Sequence, residues 1–384
     1  MKLLMDLSMF KKVHQGGKDE VAYNLLRGFS QLGHANEIVC VARPELEGIV
    51  HSIDTNYQFI PLERNLFPGK IGEILLPFTD WIYVAKLRKI IKGNNCIKIL
   101  FTNKVAPFFR SPVRTYLIPH DIQVFKWIEE SNKFELRKRI YTQEIKLTFR
   151  LCDQIIAISD FDKGEMIKYI PSCKDRILKI YNPVRFKTVK LKENRTWITT
   201  LNIQHSHKNT LTLLKAYASI ASKIKENLVL VGRKDFFPNV EQEINRIIEE
   251  NHLADRVLFT GFVKDEELNS IISQTRVFIN PSLYEGFGMA AVEMMESGIP
   301  TIVANNTAQK EVTMGLCRYY EPTTDEKALA DAIMEELTYP TTKERLRTIA
   351  NTIRKKYDYI EVAKEYWNTI MDESKITDKV CGKP

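Results

Sequence analysis

The chain has 384 residues, of which 44% are hydrophobic and 27% are charged, and its formal net charge is +8. This length is too great for one ordinary core and fits two domains of roughly 150–190 residues each. The composition excludes a largely disordered chain, and six widely spaced cysteines exclude a disulfide-rich secreted scaffold, so we expect a cytoplasmic protein.

Short apolar runs alternate with amphipathic helical patterns along the chain, which predicts an α/β fold with parallel sheets. The first ten residues predict a strand, because their apolar run is too short for a signal peptide, and a helix is predicted over residues 20–32. No run is apolar enough to predict a membrane span. Further strands are predicted at residues 38–42, 97–102, 115–118, 154–158, 196–201, 228–231, 257–260, 277–280 and 301–304.

A domain boundary is predicted near residue 185. Tyr181-Asn182-Pro183-Val184 contains an Asn-Pro turn signal, and the polar stretch after it precedes the next predicted strand. The chain therefore divides into a first domain of residues 1–184 and a second domain that begins at residue 185.

The excess positive charge lies in the first domain. Residues 51–150 contain 17 basic and 9 acidic residues, interleaved with aromatic side chains such as Trp81 and Trp127. One interpretation is a surface for anionic lipid or for a phosphorylated acceptor, and the other is a solubilising excess of charge. We expect no nucleic-acid partner, because no nucleic-acid-binding motif accompanies the charge.

The segment from Asn280 to Pro300 contains the most informative pattern. An apolar strand leads through a glycine-containing turn into a helix that is predicted to end at Gly298. Backbone N–H groups at the helix start, together with the helix dipole, predict an anion site suited to a diphosphate. These N–H groups are expected around Gly286, Phe287, Gly288 and Met289.

Two glutamates flank this predicted anion site. Glu285 and Glu293 lie eight residues apart, or roughly 12 Å along a helix. One carboxylate is therefore expected beside a sugar near the diphosphate, and the other beside a ribose. The alternative is an ordinary strand-turn-helix unit whose glutamates face solvent or cap the helix, and the pair alone leaves both interpretations open.

The glutamate pair, preceded by Pro-Ser-Leu-Tyr and followed by Gly-Ile-Pro, resembles the signature of the GT-B retaining glycosyltransferases, in particular family four. Further stretches resemble motifs of that family, in the same order and over nearly the whole chain. They are Gln15-Gly16-Gly17, His120-Asp121, residues 156–163, Tyr181-Asn182-Pro183-Val184, His207-Lys208-Asn209 and residues 228–232.

The resemblance implies two Rossmann-like domains whose parallel sheets face a deep interdomain cleft. Residues 1–184 would bind the acceptor, residues 185–357 would bind the nucleotide-sugar donor, and a helix in residues 358–384 would cross back to the first domain. His120, Lys208 and Glu285 are the implied catalytic residues. The implied donor-binding residues are Gly16, Gly17, Lys208, Asn209, Gly261, Phe262, Val263, Glu285, Gly286, Phe287, Gly288, Met289 and Glu293.

Each implied role corresponds to a definite chemistry. The ammonium group of Lys208 would stabilise the negative charge that grows on the diphosphate as the nucleotide leaves. Glu285 would bind hydroxyls of the transferred sugar, Glu293 would bind the ribose, and His120 would contact the sugar. For Lys208 the alternative is a solvated lysine at a helix start, and for His120 it is a hydrogen-bonded histidine at a strand end.

The sequence departs from the family pattern at two places. Many members have an arginine about five residues before the donor-domain lysine, whereas this chain offers Asn202, Gln204 or His205 near that position. A small-apolar-Pro sequence is also replaced by Met289-Ala290-Ala291. These departures leave the donor sugar open.

Asp160-Phe161-Asp162 has the Asp-x-Asp form that metal-dependent transferases of another fold use. Here it follows a predicted strand and opens a helix behind Ser159, so helix capping is the favoured interpretation. We therefore predict no metal. No Gly-x-Gly-x-x-Gly follows an early strand, so we also expect no nicotinamide or flavin cofactor. The resemblance implies a GDP-, UDP- or dTDP-sugar as co-substrate.

The resemblance implies a metal-independent, retaining transferase of a hexose or deoxyhexose, with mannose or rhamnose favoured. The acceptor would be a saccharide or a lipid-linked saccharide in surface polysaccharide biosynthesis, with contact to the inner face of the membrane through the basic first domain. The alternatives are a catalytically silent sugar-nucleotide-binding subunit and a GT-B sugar-nucleotide epimerase.

Overall fold

The computed structural model describes residues 2–11, 16–64, 69–130 and 136–372. The chain forms two compact units, one made of Met1–Arg185 with Tyr357–Pro384 and the other of Phe186–Lys356. Each unit contains one parallel sheet. The predicted α/β fold class with parallel sheets is confirmed.

The strands are numbered in chain order. They are β1 (Lys2–Leu7), β2 (Ile38–Ala42), β3 (Gln58–Pro61), β4 (Cys96–Phe101), β5 (Arg114–Leu117), β6 (Gln154–Ala157), β7 (Ile177–Lys179), β8 (Trp197–Leu201), β9 (Asn227–Val231), β10 (Val257–Gly261), β11 (Thr275–Asn280), β12 (Thr301–Ala304) and β13 (Arg318–Tyr320).

The α-helices are also numbered in chain order. They are α1 (Gly17–Gln31), α2 (Glu47–Ile53), α3 (Gly69–Gly93), α4 (Gln123–Glu130), α5 (Leu136–Leu151), α6 (Asp160–Tyr169), α7 (Thr210–Ile220), α8 (Pro238–Glu250), α9 (Asp265–Gln274), α10 (Met289–Glu296), α11 (Gln309–Val312), α12 (Glu326–Thr338), α13 (Lys343–Tyr357) and α14 (Tyr359–Met371).

The sheet of the first unit has the strand order β3-β2-β1-β4-β5-β6-β7. The interior strand β1 pairs with both neighbours in parallel, and Leu4 lies opposite Val39 and Ile99. Strand β2 is buried at every position. Such continuous apolar runs are expected of parallel strands that helices cover on both faces. The carboxyl ends of these strands therefore meet at one edge of the sheet.

The sheet of the second unit has the strand order β10-β9-β8-β11-β12-β13. The order reverses beside β8, which pairs with β9 on one side and β11 on the other. In open α/β sheets, ligands bind outside the carboxyl ends of the strands at such a reversal. We therefore expect a ligand site of this unit in the loops after β8 and β11.

Three strands were not predicted from the sequence: β3, β7 and β13. Each lies at a sheet edge and is only three or four residues long. Their side chains are mostly half-buried, so the apolar runs that reveal the central strands are missing. The helix predicted over residues 20–32 begins three residues earlier, at Gly17.

A buried ion pair ties the chain after β3 to helix α3. The guanidinium of Arg64 donates to both carboxylate oxygens of Asp80, at 2.8 and 2.7 Å. It also donates to the carbonyl oxygens of Val105, at 2.5 Å, and Ala106, at 3.1 Å. Arg64 and Asp80 are both buried, at 1% and 2% exposure. This one arginine thus connects the chain after β3 with α3 and with the chain after β4.

Helix α14 packs against α1 in the first unit. Gly28 of α1 lies so close to α14 that a Cβ atom there would be 2.7 Å from the carbonyl oxygen of Tyr359 and would overlap the Cβ of Ala363. Trp367 of α14 also stacks on His34, with ring centroids 3.8 Å apart. The absence of a side chain at Gly28 allows this close approach.

Replacing Gly28 with alanine should therefore destabilise the protein, because neither contacting atom belongs to a flexible side chain. We expect Gly28→Ala to lower the free energy of unfolding by about 1–3 kcal/mol. The matched control is Gly48→Ala in α2, where no atom lies within 4 Å of the new Cβ and alanine favours the helix. Equal urea midpoints for the two variants would contradict the packing described here.

None of the described helices is long and apolar enough to cross a bilayer. The longest of them is α3, with 25 residues.

Candidate active site

The loop after β8 in the second unit carries Lys208. The loop forms a short 3-10 turn over Ser206–Lys208 and leads into α7. The ammonium of Lys208 donates to Oε1 of Glu285 at 2.6 Å, and both side chains are largely buried. The structure therefore brings together two of the three predicted catalytic residues, although 77 positions separate them in the sequence.

Asn209 holds this loop in place. Its backbone is left-handed, with φ of 55°, a conformation that asparagine tolerates better than most residues. Its side-chain amide donates to the carbonyl oxygens of Pro281, at 3.2 Å, and Thr323, at 2.8 Å. The predicted donor-binding residue thus anchors the Lys208 loop to the segment that contains Glu285.

The segment from Asn280 to Met289 connects β11 to α10. Gly288 caps the helix with φ of 90°, which favours glycine. Its carbonyl oxygen accepts from the amides of Ala291 and Val292. The helix begins at Met289, the last of the four positions around which the sequence predicted its start. Phe287 is buried, so its ring packs in the core.

Glu285 lies in the loop and Glu293 lies in α10. The predicted separation of roughly 12 Å assumed one continuous helix, and that assumption is wrong because Glu285 precedes the helix. The chain enters α10 through the left-handed Gly288, which ends any helical path from Glu285. Glu293 is half-buried in the second turn of the helix.

The carboxylate of Glu285 is charged at neutral pH. Burial raises its pKa, but the ammonium of Lys208, a hydrogen bond with Ser282 and the nearby His207 outweigh burial and hold the pKa below its usual value. The ammonium and the carboxylate thus form a close ion pair whose side chains are 17% and 14% exposed. An ammonium is a group that binds phosphate, and a carboxylate accepts hydrogen bonds from hydroxyl groups.

His205, one of the two histidines before Lys208, does not add a second positive charge to this loop. The rings of His205 and His207 stack with centroids 5.4 Å apart. Burial, followed by the charge of Lys208, lowers the pKa of His205, so this ring is neutral at pH 7. The side-chain oxygen of Gln204 is buried. A Cβ atom introduced at Gly232 by substitution would lie 2.7 Å from this oxygen.

In the segment Gly261-Phe262-Val263, Gly261 is the last residue of β10 and the other two residues follow it. Gly261 accepts a hydrogen bond from the amide of Gly232 at 3.1 Å, and Val263 packs against a small cluster that includes Val231. The ring of Phe262 is 77% exposed, and the guanidinium of Arg233 lies 5.9 Å from its centroid. The sequence analysis did not single out Arg233, which comes two residues after the end of β9.

In the first unit, Gly16 and Gly17 precede and begin α1. Gly16 has φ of 114°, and its carbonyl oxygen accepts from the amides of Asp19 and Glu20. Gln15, which belongs to the same motif, lies outside the described residues. Lys18 in the first turn is half-buried, and burial lowers its pKa.

His120 follows the carboxyl end of β5 and is buried. Its Nε2 lies 3.1 Å from the carbonyl oxygen of Thr102, so this nitrogen carries the proton and Nδ1 is left as an acceptor. Its backbone is left-handed, with φ of 68°. Burial lowers the pKa of His120 to about 4, and the ring is neutral at pH 7.

Lys104 is a neighbour of His120 that sequence reasoning missed. Its ammonium donates to Oδ1 of Asp121 at 2.6 Å. Burial raises the pKa of Asp121, but the ammonium of Lys104 outweighs it, and the pKa is lowered overall. The predicted His120-Asp121 pair therefore carries one neutral ring and one charged carboxylate.

The capping interpretation of Asp160-Phe161-Asp162 is confirmed. The hydroxyl of Ser159 accepts a hydrogen bond from the amide of Asp162 at 3.0 Å at the start of α6. Burial raises the pKa of the Asp162 carboxyl well above its usual value.

The low pKa of His120 predicts a stability that depends on pH. Between pH 6.5 and about pH 4 the unfolded chain binds a proton at this histidine and the folded chain does not, so stability falls as the pH falls. We expect His120 to account for about 2–3 kcal/mol of lost stability between pH 7 and pH 4.5. Urea unfolding of wild type and His120→Asn at both pH values measures this share.

Asparagine suits this test, since it tolerates the left-handed backbone. The control is His252→Asn, because His252 also has a positive φ, of 53°, but is exposed. If His120→Asn loses as much stability on acidification as wild type does, the burial of a neutral His120 is wrong.

Comparison with known proteins places these features in a family. Residues 15–187 match the family described as "Glycosyltransferase Family 4", and residues 184–355 match "Glycosyl transferases group 1". The O-antigen chain mannosyltransferase RfbU of Salmonella typhimurium is 26% identical over 252 residues, which are 65% of this chain and 68% of RfbU. The serotype-specific mannosyltransferase WbdA of Escherichia coli is 29% identical over 179 residues, which are 43% of this chain and only 22% of WbdA.

Solved structures share the fold at low sequence identity. HepE of Anabaena, in complex with UDP and glucose, has a TM-score of 0.71 and 16% identity, covering 97% of this chain and 99% of HepE. A sucrose-phosphate synthase of Thermosynechococcus elongatus has a TM-score of 0.75 and 17% identity, covering 98% and 100%. The shared fold is the GT-B fold. With the family matches, the chain belongs to glycosyltransferase family four.

Proposed function

We propose that this chain is a retaining, metal-independent glycosyltransferase that moves a hexose or deoxyhexose from a nucleotide sugar to a saccharide or lipid-linked acceptor. The observation that carries the proposal is the largely buried 2.6 Å pair of Lys208 and Glu285, beside the carboxyl ends of β8 and β11. A buried ammonium at this edge is suited to a diphosphate, and a carboxylate beside it is suited to sugar hydroxyls.

The proposed donor site has three parts. Lys208 and the first amides of α10, at Met289 and Ala290, bind the diphosphate. Glu285 accepts hydrogen bonds from hydroxyls of the transferred sugar, and Glu293 accepts them from the ribose. The segment from Gly261 to Val263 lines the nucleobase, and the exposed ring of Phe262 offers it an apolar face.

The proposed chemistry is displacement on one face of the sugar. The bond from the anomeric carbon to the diphosphate oxygen breaks, and the acceptor oxygen bonds to the same face while its proton passes to the departing diphosphate. Lys208 stabilises the charge that develops on that diphosphate. Because the carboxylate of Glu285 is paired with an ammonium, it is better suited to holding hydroxyls than to attacking carbon.

Mannose or rhamnose is the proposed sugar. RfbU and WbdA are named as mannosyltransferases, and RfbU is named for the O-antigen chain. This supports a role in surface polysaccharide biosynthesis for the present chain. In the first unit His120, with a neutral ring, is proposed to contact the transferred sugar, and Gly16 and Gly17 to let the backbone approach the phosphates.

Contact with an anionic membrane is also proposed, through the first unit. The 17 basic against 9 acidic residues in 51–150 support it, as does the 70% exposure of Trp81. A lipid-linked acceptor would be met at such a surface.

Thermal unfolding with a panel of UDP-, GDP- and dTDP-sugars in EDTA tests the proposed donor site. A ligand at 100 times its dissociation constant stabilises the folded state by about 2.7 kcal/mol. We expect one nucleotide to raise the melting temperature of wild type while metal ions are chelated. A panel without any shift, in EDTA or in magnesium, would contradict the proposed donor binding, and a shift only in magnesium would contradict metal independence.

A further inference from the structure

A basic groove lies at the amino edge of the first sheet. It has a volume of about 760 Å³ and is lined by the end of α3, the start of β4 and the chain before β5. Three exposed cations, Arg88, Lys92 and Arg110, stand around an apolar floor. The floor includes Ile91, Ile97 and Val113.

The sequence around this groove is rich in positive charge. Residues 81–120 contain eight Lys and Arg and no Asp or Glu. Among the described side chains, no carboxylate pairs with Arg88, Lys92 or Arg110. The guanidinium of Arg88 lies 5.6 Å from the centroid of the Phe109 ring. A surface with this charge favours an anionic ligand.

The C-terminal part of α3, which lines the groove, is amphipathic. Tyr83, Leu87 and Ile91 recur every four residues and are buried. On the opposite side Trp81 is 70% exposed, and Arg88 lies seven residues further on, two turns along the same face. Exposed tryptophan with Lys and Arg on one helix face is typical of helices at a membrane surface.

The groove is separate from the proposed active site. It adjoins Cys96, the first residue of β4, whereas His120 follows the carboxyl end of the neighbouring β5. Six residues of β4 span about 20 Å between the two edges. The groove is therefore not part of the proposed sugar site.

We propose that the groove binds the phosphate of an anionic phospholipid and docks the first unit on a membrane. The cations bind the headgroup, the apolar floor receives the first part of the acyl chains, and Trp81 enters the interface. A free phosphate would engage the cations but leave the floor and Trp81 without contacts. The inference rests on the proposed membrane contact and specifies its place.

Sedimentation with vesicles tests this assignment. The groove variant combines Arg88→Ala, Lys92→Ala and Arg110→Ala, and the control combines Lys327→Ala, Lys343→Ala and Arg347→Ala, which removes the same charge from exposed positions of the second unit. Binding is measured on phosphatidylcholine vesicles with and without phosphatidylglycerol, at about 0.01 M salt, where screening is weak. Far-UV circular dichroism and the melting temperature confirm that each variant is folded.

Wild type and the control should bind only vesicles that contain phosphatidylglycerol, and the groove variant should bind them about 100-fold more weakly. Brominated lipid should quench the emission of wild type more than that of Trp81→Phe. Equal vesicle binding by the groove variant and the control would overturn the groove assignment but leave the membrane contact standing. If wild type does not bind anionic vesicles, or binds glycerol phosphate at the groove without binding vesicles, the groove assignment and the membrane contact are both overturned. Donor binding is tested separately, by nucleotide-induced stabilisation.

Discussion

Replacing Lys208 with methionine should lower kcat/KM for sugar transfer by about 100- to 1000-fold, the usual effect of removing one group that stabilises developing charge. Methionine keeps most of the length of the side chain and removes its charge. The largely buried carboxylate of Glu285 then loses the partner that lies 2.6 Å away. Both the leaving diphosphate and the residue proposed to bind the sugar are affected, so we expect kcat to fall more than KM rises.

The matched control is Lys215→Met in the neighbouring helix α7. Lys215 also pairs with a glutamate, Glu243, but at 3.5 Å and with 37% of its side chain exposed. Such a surface pair contributes little, so activity and melting temperature should stay close to wild type. If Lys208→Met is folded and retains kcat/KM within about threefold, Lys208 does not stabilise the leaving group.

Replacing Arg64 with alanine should lower the free energy of unfolding by about 3–5 kcal/mol, the cost of breaking a buried ion pair by removing one partner. The change leaves the carboxylate of Asp80 buried and removes the donors to two carbonyl oxygens, those of Val105 and Ala106. Urea unfolding followed by circular dichroism measures the loss, which falls on the first unit.

Two further variants serve as controls for the effect of Arg64→Ala. Arg246→Ala removes an exposed arginine whose side chain is 58% accessible, and it should cost less than about 1 kcal/mol. Replacing Arg64 with methionine and Asp80 with leucine together should restore part of the stability, since no buried charge is then left unpaired. A loss for Arg64→Ala as small as that for Arg246→Ala would contradict the structural role of the buried pair.

The sequence predicted the central strands well, for a physical reason. Strands β2 and β12 have the predicted bounds, because central parallel strands are apolar on both faces and stand out as unbroken runs. The edge strands β3, β7 and β13 carry too few buried side chains to show such a run. The sequence therefore indicated the order of the core elements and missed three of the four sheet edges.

The sequence names residues of the candidate site but does not show the contacts between them. The family signature selects Lys208 and Glu285, yet no local pattern shows that they form an ion pair across 77 positions. The same holds for Lys104 with Asp121, which the fold brings within 2.6 Å. The spacing of Glu285 and Glu293 was predicted as if both lay on one helix, because a glycine in the sequence does not by itself reveal the left-handed turn at Gly288.

Transfer of the sugar itself tests the central proposal most directly. Purified chain is incubated in EDTA with GDP-mannose, then with UDP- and dTDP-sugars, and a mannose-terminated saccharide as acceptor, and the product is analysed by mass spectrometry and by NMR of the new linkage. We predict one donor that extends the acceptor by one sugar with the anomeric configuration of the donor retained, and loss of product with Lys208→Met. A product with inverted configuration would contradict the proposed displacement, and release of nucleotide without transfer, or no turnover of a donor that binds, would contradict the proposed transferase.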